Sequence, residues 1–503
     1  MAFKETDVIG PTQGRPLRRH INIKYMSQFE TVIGLEVHLQ LSTRSKIFCS
    51  CANQYGCRPN TNVCPVCLGL PGTLPVLNHQ ALLYAIKAGL ALNAQINSFI
   101  KFDRKNYYYP DLPKGYQISQ YDFPVAKKGF LTIKSQSKEK RIGITRAHLE
   151  EDAGKLMHDN TAGCSLVDFN RTGTPLLEIV TEPDMRSPQE AYDYLNTLKL
   201  TLQYLGISDC DMEKGSLRCD ANVSIRPIGQ TTLGTKTELK NMNSFRAVKL
   251  ALEYEVRRHQ QTIAAGGKIV QETLLWNDEK AMTMTMRSKE QAHDYRYFPD
   301  PDLVPFTIDQ KVIDDVRAQL PELPQAKFLR FLSQYGLSEY DANMLVADRG
   351  MADFFEAAVK EYPEAKRIAN WMAGPVLKEL NERHMSIQEL KLTPHDLVVL
   401  IAKVEEGVVS NLAGKDVLTA MLDGGRGAEE TIREKGLAQV SDDSALLVII
   451  DEVIAQNAAV VDQIKSGKPN AIGFLVGQAM KKSMGKANPK KLNELIARRI
   501  ADV

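Results

Sequence analysis

The sequence predicts an α+β protein with a mixed or antiparallel sheet in its N-terminal part and helices in its C-terminal part. Two segments, 32–41 and 217–226, alternate strictly between apolar and polar residues, as strands with one buried face do. After about residue 300, prolines interrupt the chain and helical periodicity replaces this alternation. We therefore expect strands with a few helices up to residue 320, and helices from residue 321 onwards.

Composition is that of an ordinary globular protein, with 43% hydrophobic and 25% charged residues in a chain of 503, long enough for several domains. A net charge of +2 predicts no global affinity for nucleic acid, so any such surface must be local. Eight cysteines, five of them in one loop, favour a reducing, cytoplasmic location over a disulfide framework. No run of eighteen apolar residues occurs, which excludes a membrane-spanning helix.

Residues 1–28 form a basic segment without the apolar region of a signal peptide. Met26 stands just before the first patterned strand. We expect residues 1–28 to be an N-terminal extension, either disordered or preceding the natural start at Met26.

A loop at 48–68 follows the first strand and carries two short cysteine pairs, a C-x-C and a C-x-x-C. Two such pairs can present four thiolates to one tetrahedral Zn²⁺ ion. A fifth cysteine, Cys57, could replace one ligand, and the alternative is a set of buried, reduced cysteines. Turn-forming residues between the pairs favour a structural zinc site. Its expected ligands are Cys49, Cys51, Cys64 and Cys67.

Acidic residues and histidines recur on polar strand faces. Glu36 and His38 share one face of the first strand, and His148 shares a face with Glu150 on another segment. Glu178 interrupts an apolar strand, where an unpartnered carboxylate is costly. Three carboxylates and an imidazole suit Mg²⁺ or Mn²⁺, whereas the alternative is a set of solvated strand faces. The candidate catalytic and metal-binding residues are Glu36, His38, Glu150 and Glu178.

The sequence strongly predicts one helix between the two alternating strands. Ser187 suits the N-cap, Pro188 the first helical position, and Glu190 a capping box. A leucine stripe follows, and Gly206 marks the end of the helix.

The segment 236–246 mixes cations with short hydrogen-bond donors, as a nucleotide pocket requires. It contains no Walker A sequence and no GxGxxG after a strand, so the pocket would be of an unusual kind. The alternative is a polar connection between a strand and a helix. With the polar face of the strand at 217–226, the candidate nucleotide-binding residues are Arg218, Asp220, Asn222, Lys236 and Lys240.

The last 65 residues predict a further small helical module that is locally basic. Such a patch could neutralise phosphates without base specificity, and a solvated helix face is the alternative. Its candidate phosphate-binding residues are Lys481, Lys482, Lys486, Lys490 and Lys491.

Several long motifs, in order, resemble the GatB family, the B-type component of the bacterial aspartyl/glutamyl-tRNA amidotransferases. The resemblance covers essentially residues 29–503. It is carried by FETVIGLEVH at 29–38, KFDRKNYYYPD at 101–111, HLEEDAGK at 148–155, DFNRTGTPLLE at 168–178, GSLRCDAN at 215–222, DYRYFP at 294–299 and GFLVGQ at 473–478.

This resemblance implies a cradle domain at 29–320, a helical domain at 321–435, and a YqeY-type tail domain at 436–503 that binds tRNA. It implies ATP-dependent phosphorylation of the side-chain carboxylate of misacylated Glu-tRNA(Gln) or Asp-tRNA(Asn). Ammonia that the A-type glutaminase partner releases from glutamine then forms the amide, within a heterotrimer that also contains a C-type partner. The family's magnesium ligands correspond to Glu36, His38, Glu150 and Glu178. Its zinc ligands correspond to the four cysteines above, which leaves Cys57 as a bystander.

Two other functions fit parts of the pattern. One is a zinc-stabilised tRNA-binding adaptor without catalysis, and the other is an ATP-dependent ligase acting on a free amino acid. An adaptor has no need of Glu178 within an apolar strand. A small substrate needs no second phosphate-binding surface at the C-terminus.

Overall fold

The computed structural model describes residues 28–159, 163–286, 295–437, 443–465, 471–483, 487 and 489–502. The chain divides into two compact units, with the boundary between Pro321 and Glu322. The expectation for residues 1–28 falls, apart from Gln28, outside the described residues.

A nine-stranded sheet forms the first unit. Its strands are β1 (Phe29–Gln40), β2 (Gln95–Ile96), β6 (Ala126–Ser135), β7 (Lys138–Glu151), β10 (Pro175–Thr181), β11 (Leu217–Pro227), β12 (Thr237–Lys240), β13 (Thr273–Asn277) and β14 (Met282–Thr285). Their order is β14-β13-β12-β11-β1-β10-β7-β6-β2, and all neighbours are antiparallel except β12 and β13. The predicted mixed or antiparallel sheet is confirmed, and it is mixed with mainly antiparallel pairs.

Both predicted alternating strands are confirmed. In β1, Leu35, Val37 and Leu39 are buried, and β11 buries every second residue from Leu217 to Ile225. This apolar face packs on helices, whereas the polar residues between them point to the opposite face of the sheet. The antiparallel register places that polar face of five strands, from β12 to β7, side by side.

The helices of this unit are α1 (His79–Ala91), α2 (Pro188–Leu205), α3 (Phe245–Ala264) and α4 (Gln310–Ala318). Helix α2 begins and ends as predicted, because Ser187 accepts a hydrogen bond from the Glu190 backbone N–H and Gly206 adopts a left-handed conformation with φ 67°. The Glu190 carboxylate accepts from the backbone N–H of Arg186 instead of completing the capping box at Ser187.

Short strands complete this unit. A three-stranded sheet, β15-β4-β5, joins β4 (Asp103–Asn106), β5 (Tyr116–Ser119) and β15 (Phe298–Pro299). Strands β3 (Phe99–Ile100) and β16 (Phe306–Thr307) pair with each other, as do β8 (Lys155–Asp159) and β9 (Cys164–Asp168). Strand β5 packs against β7, so the three-stranded sheet lies close to the acidic end of that strand.

Every regular element described in the second unit is helical, as predicted. Its helices are α5 (Pro324–Tyr335), α6 (Glu339–Val346), α7 (Arg349–Glu361), α8 (Ala365–Trp371), a π-helical turn (Met372–Val376), α9 (Leu377–Arg383), α10 (Pro394–Glu405), α11 (Asn411–Gly424), α12 (Ala428–Lys435), α13 (Asp443–Gln456), α14 (Ala458–Lys465), α15 (Ile472–Lys482) and α16 (Pro489–Asp502). Helices α13 to α16 share a buried apolar cluster that includes Leu446, Ile450, Leu475 and Ile496. The domain boundary at 435/436 remains a prediction. Among the described helices, none is both long enough and apolar enough to cross a membrane.

Candidate active site and metal centre

Three of the four predicted cation ligands meet on the polar face of the sheet. His38 on β1 lies opposite Glu178 on β10, and His38 Nε2 is 3.3 Å from Glu178 Oε2 and 3.8 Å from Glu150 Oε1. Ligand atoms of His38, Glu150 and Glu178 all lie within 4.8 Å of one another. Both carboxylates are buried. Two carboxylates and an imidazole at this spacing match the donor set of a divalent cation.

Glu36, the fourth predicted ligand, lies on the same face of β1 but outside this group. Its Oε1 accepts a hydrogen bond of 3.0 Å from Asn222 Nδ2 on β11. Burial raises the pKa of Glu36, and the nearby charges of Glu178, Glu238 and Asp220 raise it further. Its role as a ligand remains a prediction.

His148 is a further member of the cluster that the predicted ligand set did not include. It lies opposite Glu178 on β7, and its Nε2 is 3.6 Å from Glu150 Oε2 and 3.5 Å from Glu178 Oε2. Its Nδ1 is buried and has no hydrogen-bond partner in the described structure. The alternation of His148 with Glu150 was the sequence signal for it.

The two imidazoles control the charge state of the carboxylates. Burial alone would raise the pKa of Glu178, but the charge of His148 and the hydrogen bond with His38 outweigh burial and lower it. Burial would likewise raise the pKa of Glu150, but its hydrogen bond with His148 and the charge of Lys105 lower that pKa below the ordinary value. Both carboxylates are therefore ionised at neutral pH, as cation binding requires.

Lys105 and several tyrosines cover this cluster from the three-stranded sheet. Burial alone would lower the pKa of Lys105, but neighbouring charges, of which Glu150 has the largest effect, raise it above the ordinary value. Its Nζ lies 4.8 Å from the ring centre of Tyr295 and 5.8 Å from that of Tyr107. Lys105 and Tyr107 lie within the motif at 101–111, but sequence reasoning assigned them no role.

The predicted nucleotide-binding residues line the same polar face, and most of them have protein partners. Arg218 donates to buried Asp152 at 2.9 Å, and Lys240 forms ion pairs with both Asp220 and Glu238. Asp220 lies directly opposite Glu36 on the neighbouring strand. These residues therefore lie on the same face of the sheet as the carboxylate cluster and are held there by ion pairs of their own.

Lys236 lies on a cavity of about 280 Å³ whose lining includes Gly34, Glu36, Val180 and Asn222. Arg146 on β7 pairs with Val180, which is itself opposite Glu36. Arg146 Nε is buried and has no hydrogen-bond partner within the described residues. A buried guanidinium nitrogen without a partner is costly, so Arg146 is suited to bind an anion.

The second predicted metal site is also assembled. Sulfur atoms of Cys49, Cys51, Cys64 and Cys67 lie within 4.8 Å of one another, and Cys57 is outside the group. Tetrahedral Zn–S bonds of about 2.3 Å would place the sulfurs about 3.8 Å apart, so a small contraction suffices. The four thiols therefore fit one structural zinc ion.

Electrostatics favour a thiolate at Cys67, whereas a hydrogen bond with Cys67 raises the pKa of Cys49 and burial raises that of Cys51. A hydrogen bond with Cys49, the Cys64 backbone N–H and the nearby Lys46 charge lower the pKa of Cys67 to about 5. Lys46 is fully buried, with Nζ 3.8 Å from Cys67 Sγ and 2.9 Å from the Asn62 carbonyl oxygen.

The cysteine loop is held by the motif at 168–178. Asp168 Oδ1 accepts from the Asn60 backbone N–H at 3.0 Å, and Asn170 Oδ1 accepts from the Asn62 N–H at 2.8 Å. Asn170 Nδ2 also donates to the Arg58 carbonyl at 2.6 Å. Because the same motif ends at Glu178, one segment ties the cysteine loop to the strand of the acidic cluster.

The candidate lysines of the tail lie on two helices. Lys481 and Lys482 end α15 and are exposed, and Lys482 forms an ion pair with Glu452. Lys490 and Lys491 are in the first turn of α16, whereas Lys486 lies outside the described residues. Their role in tRNA binding remains a prediction.

Comparison with known proteins agrees with this architecture. Residues 31–314 match the family described as the GatB/GatE catalytic domain, and residues 353–500 match the GatB domain. The chain is 52% identical over 479 residues to the aspartyl/glutamyl-tRNA(Asn/Gln) amidotransferase B subunit of Carboxydothermus hydrogenoformans, covering 95% of this chain and 100% of that protein. The protein of the same name from Moorella thermoacetica is 54% identical over 475 residues, covering 94% and 100%. That of Brevibacillus brevis is 52% identical over 471 residues, covering 94% and 98%.

The first part of the chain is thus a GatB/GatE catalytic domain, and it is followed by a GatB domain. The chain belongs to the GatB family, the B subunits of the aspartyl/glutamyl-tRNA(Asn/Gln) amidotransferases. The resemblance stated from the sequence motifs is confirmed.

Proposed function

We propose that this chain is the GatB component of a tRNA-dependent amidotransferase that completes Gln-tRNA(Gln) or Asn-tRNA(Asn) synthesis from the misacylated precursor. The observation that carries the proposal is the meeting of His38, Glu150 and Glu178 within 4.8 Å, next to a cavity lined by Glu36, Asn222 and Lys236. Full-length similarity to proteins of that name supports it. Because aminoacyl-tRNA is used in translation, we place the reaction in the cytoplasm.

The chemistry requires two steps. An oxygen of the Glu or Asp side-chain carboxylate attacks the γ-phosphorus of ATP, and the bond from that phosphorus to the ADP oxygen breaks, leaving an acyl phosphate. Ammonia then attacks the acyl carbon, the bond to phosphate oxygen breaks, and loss of a proton leaves the amide. Phosphorylation is needed because a carboxylate is a poor electrophile without a leaving group.

Each part of the polar face has a role in this scheme. His38, Glu150 and Glu178 would hold Mg²⁺ or Mn²⁺, with Glu36 beside them, and the ion would offset charge on the transferred phosphoryl group. Lys236 and Arg146 would bind ATP phosphates, since neither has a carboxylate partner among the described residues. Arg218, Asp220, Asn222 and Lys240 would order the same surface: Lys240 pairs with Asp220, Arg218 with Asp152, and Asn222 donates to Glu36.

The remaining parts support this reaction. Cys49, Cys51, Cys64 and Cys67 would bind a structural zinc ion that has no open coordination position for catalysis. The lysines of α15 and α16 would bind phosphates of the tRNA body. Glutaminase chemistry would belong to the A-type partner, and the C-type partner would complete a heterotrimer.

A non-catalytic adaptor is the weaker alternative. An adaptor gains nothing from two buried carboxylates and two imidazoles that share one small space, because burying them costs stability.

The decisive experiment is conversion of Glu-tRNA(Gln) to Gln-tRNA(Gln) with ATP and glutamine, by this chain with its A-type and C-type partners and with each of the three proteins omitted in turn. ATP consumption that depends on misacylated tRNA and on this chain supports the proposal. Undiminished amide formation without this chain would contradict it.

A further inference from the structure

Six aromatic side chains are at least one-third exposed on and around the short strands β3, β4, β5 and β15. They are Phe99, Tyr108, Tyr109, Tyr121, Phe123 and Phe298. Aromatic side chains bring a large hydrophobic contribution when they are covered, so a cluster of exposed rings marks a binding surface.

Tyr121 and Tyr297 form the best-defined element of this surface. Their rings are stacked, with centres 4.6 Å apart and planes inclined by 17°. Tyr121 is 53% exposed, so its outer face is open in the described structure, whereas Tyr297 is half-buried beneath it. A flat, supported ring with one open face is suited to stack a further planar group.

The stack continues inward to the acidic cluster. The ring of Tyr297 is 6.2 Å from that of Tyr295, which is 5.9 Å from Tyr107. Ser119, two residues before Tyr121, donates from its Oγ to Glu150 Oε2 at 3.2 Å, which places this end of the stack beside the carboxylate cluster. The tyrosines therefore lead from the candidate phosphorylation site to the surface.

The two cations at the exposed rim of the aromatic surface, Lys101 and Arg104, are already paired with carboxylates. Lys101 forms ion pairs of 2.9 Å with Asp103 and with Asp122. Arg104 pairs with Asp300 and Asp302 at 2.9 and 3.0 Å. This surface therefore offers ring faces rather than free positive charge, which favours a planar base over a duplex phosphate backbone.

We propose that the Tyr121–Tyr297 stack binds an unpaired nucleobase at the 3′ end of the tRNA substrate. This inference rests on the proposed function. In a misacylated tRNA, the carboxyl to be phosphorylated is joined to the terminal nucleotide through one short side chain and one ribose. The terminal bases must therefore lie near the carboxylate cluster, and the aromatic surface adjoins it.

The test compares two forms of the tRNA, one complete and one lacking its unpaired 3′ nucleotides, for binding to the assembled enzyme. Tyr121→Ala should raise the Kd for complete tRNA roughly tenfold, since stacking on an aromatic ring contributes about 1–3 kcal/mol per base. Tyr121→Phe keeps the ring and should retain most of the affinity. Tyr340→Ala, at a residue 73% exposed in the second unit, is the matched control.

Three features of the result identify base stacking. Truncated tRNA should bind Tyr121→Ala and the unmodified enzyme equally, because the partner of the ring is missing. The Kd ratio for complete tRNA should stay constant with salt, since no phosphate contact is lost. Assembly of the heterotrimer, measured by sedimentation, should be unchanged.

An equal loss of affinity for both tRNA forms, or no loss for either, would overturn the proposal. Impaired assembly of the heterotrimer by Tyr121→Ala would also overturn it and assign the surface to a partner protein. Failure of the proposed function is a separate result, namely absence of amide formation by the unmodified assembled enzyme.

Discussion

His38 and Glu178 lie directly opposite each other on antiparallel strands, with His38 Nε2 3.3 Å from Glu178 Oε2. On the next strand, His148 lies opposite the other side of Glu178, at 3.5 Å. Glu178 is thus flanked by two imidazoles within an otherwise apolar strand, which explains how a buried carboxylate stays ionised there.

Replacing Glu178 with Gln should abolish phosphorylation of the aminoacyl-tRNA while leaving the fold and tRNA binding largely intact. Gln keeps the shape of the side chain but removes the charge that a divalent cation requires. We expect ATP- and tRNA-dependent ADP release to fall by about 100-fold or more. Glu139→Gln, an exposed carboxylate on β7, is the control. Near-normal amide formation by Glu178→Gln would refute the assigned cation site.

Purified protein should contain about one zinc ion per chain. Cys64→Ser and Cys51→Ser should lose zinc and lower the unfolding temperature of the first unit, because each removes one of four ligands. Cys57→Ser should change neither quantity, since Cys57 lies outside the group. Metal analysis and calorimetry measure both effects. Full zinc retention by Cys64→Ser would exclude the site.

Arg146→Met should raise the KM for ATP about tenfold, because it removes a cation that lies opposite Val180 of the cavity wall and whose buried Nε has no hydrogen-bond partner among the described residues. Arg141→Met, on the same strand, is the control, since Arg141 instead stacks over Phe130 at 3.3 Å. Initial rates measured over a range of ATP concentrations, with saturating tRNA, give the KM for ATP of each variant. Equal KM values in both variants would leave Arg146 without a role in phosphate binding.

Lys490→Gln with Lys491→Gln should weaken tRNA binding and reduce its salt dependence by roughly one unit of log–log slope per lost phosphate contact. Deleting residues 436–503 should raise the KM for aminoacyl-tRNA more strongly and leave zinc content unchanged. Lys360→Gln with Lys378→Gln, in α7 and α9, is the charge-matched control. An unchanged Kd at all salt concentrations would mean that these lysines form only a solvated helix face.

Glu255 should make a pH-dependent contribution to stability. It is fully buried on α3 and accepts hydrogen bonds from Thr237 and Arg258. Burial opposes its charge, but hydrogen bonds from His259 and Arg258 lower its pKa to about 2. Because the folded-state pKa is below the unfolded one, this stabilisation is complete above about pH 5 and is lost as the pH falls toward 2.

Glu255→Gln should therefore lower the free energy of unfolding by roughly 2–4 kcal/mol near pH 7, and by much less near pH 3. Denaturant titrations of both proteins at the two pH values measure the difference. Glu253→Gln, two residues away and paired only at 4.0 Å with Lys249, should show no such pH dependence. A constant difference across pH would contradict the assigned ionisation.

Local patterns in the sequence were sufficient to predict individual strands, the ends of a helix and the four cysteines of the loop. The alternation of β1 placed Glu36 and His38 on one face, because successive side chains of a strand point to opposite sides. Ser187 and Gly206 marked the ends of α2, since capping depends only on residues within one turn. The spacing of Cys49, Cys51, Cys64 and Cys67 selected four of five neighbouring cysteines, and these four are the ones brought together.

Tertiary structure alone decided which of these elements become neighbours. His38 and Glu178 are brought together because β10 pairs with β1 across about 140 residues of intervening chain, and no local preference specifies such a pairing. Pairing of β10 with β7 placed His148 in the cluster, and pairing of β1 with β11 brought Asn222 within hydrogen-bond distance of Glu36. Pairing in the three-stranded sheet β15-β4-β5 likewise stacked Tyr121 on Tyr297, two residues far apart in sequence that no motif connected. Strand periodicity determines which face a side chain occupies, whereas long-range pairing of strands determines which side chains share that face.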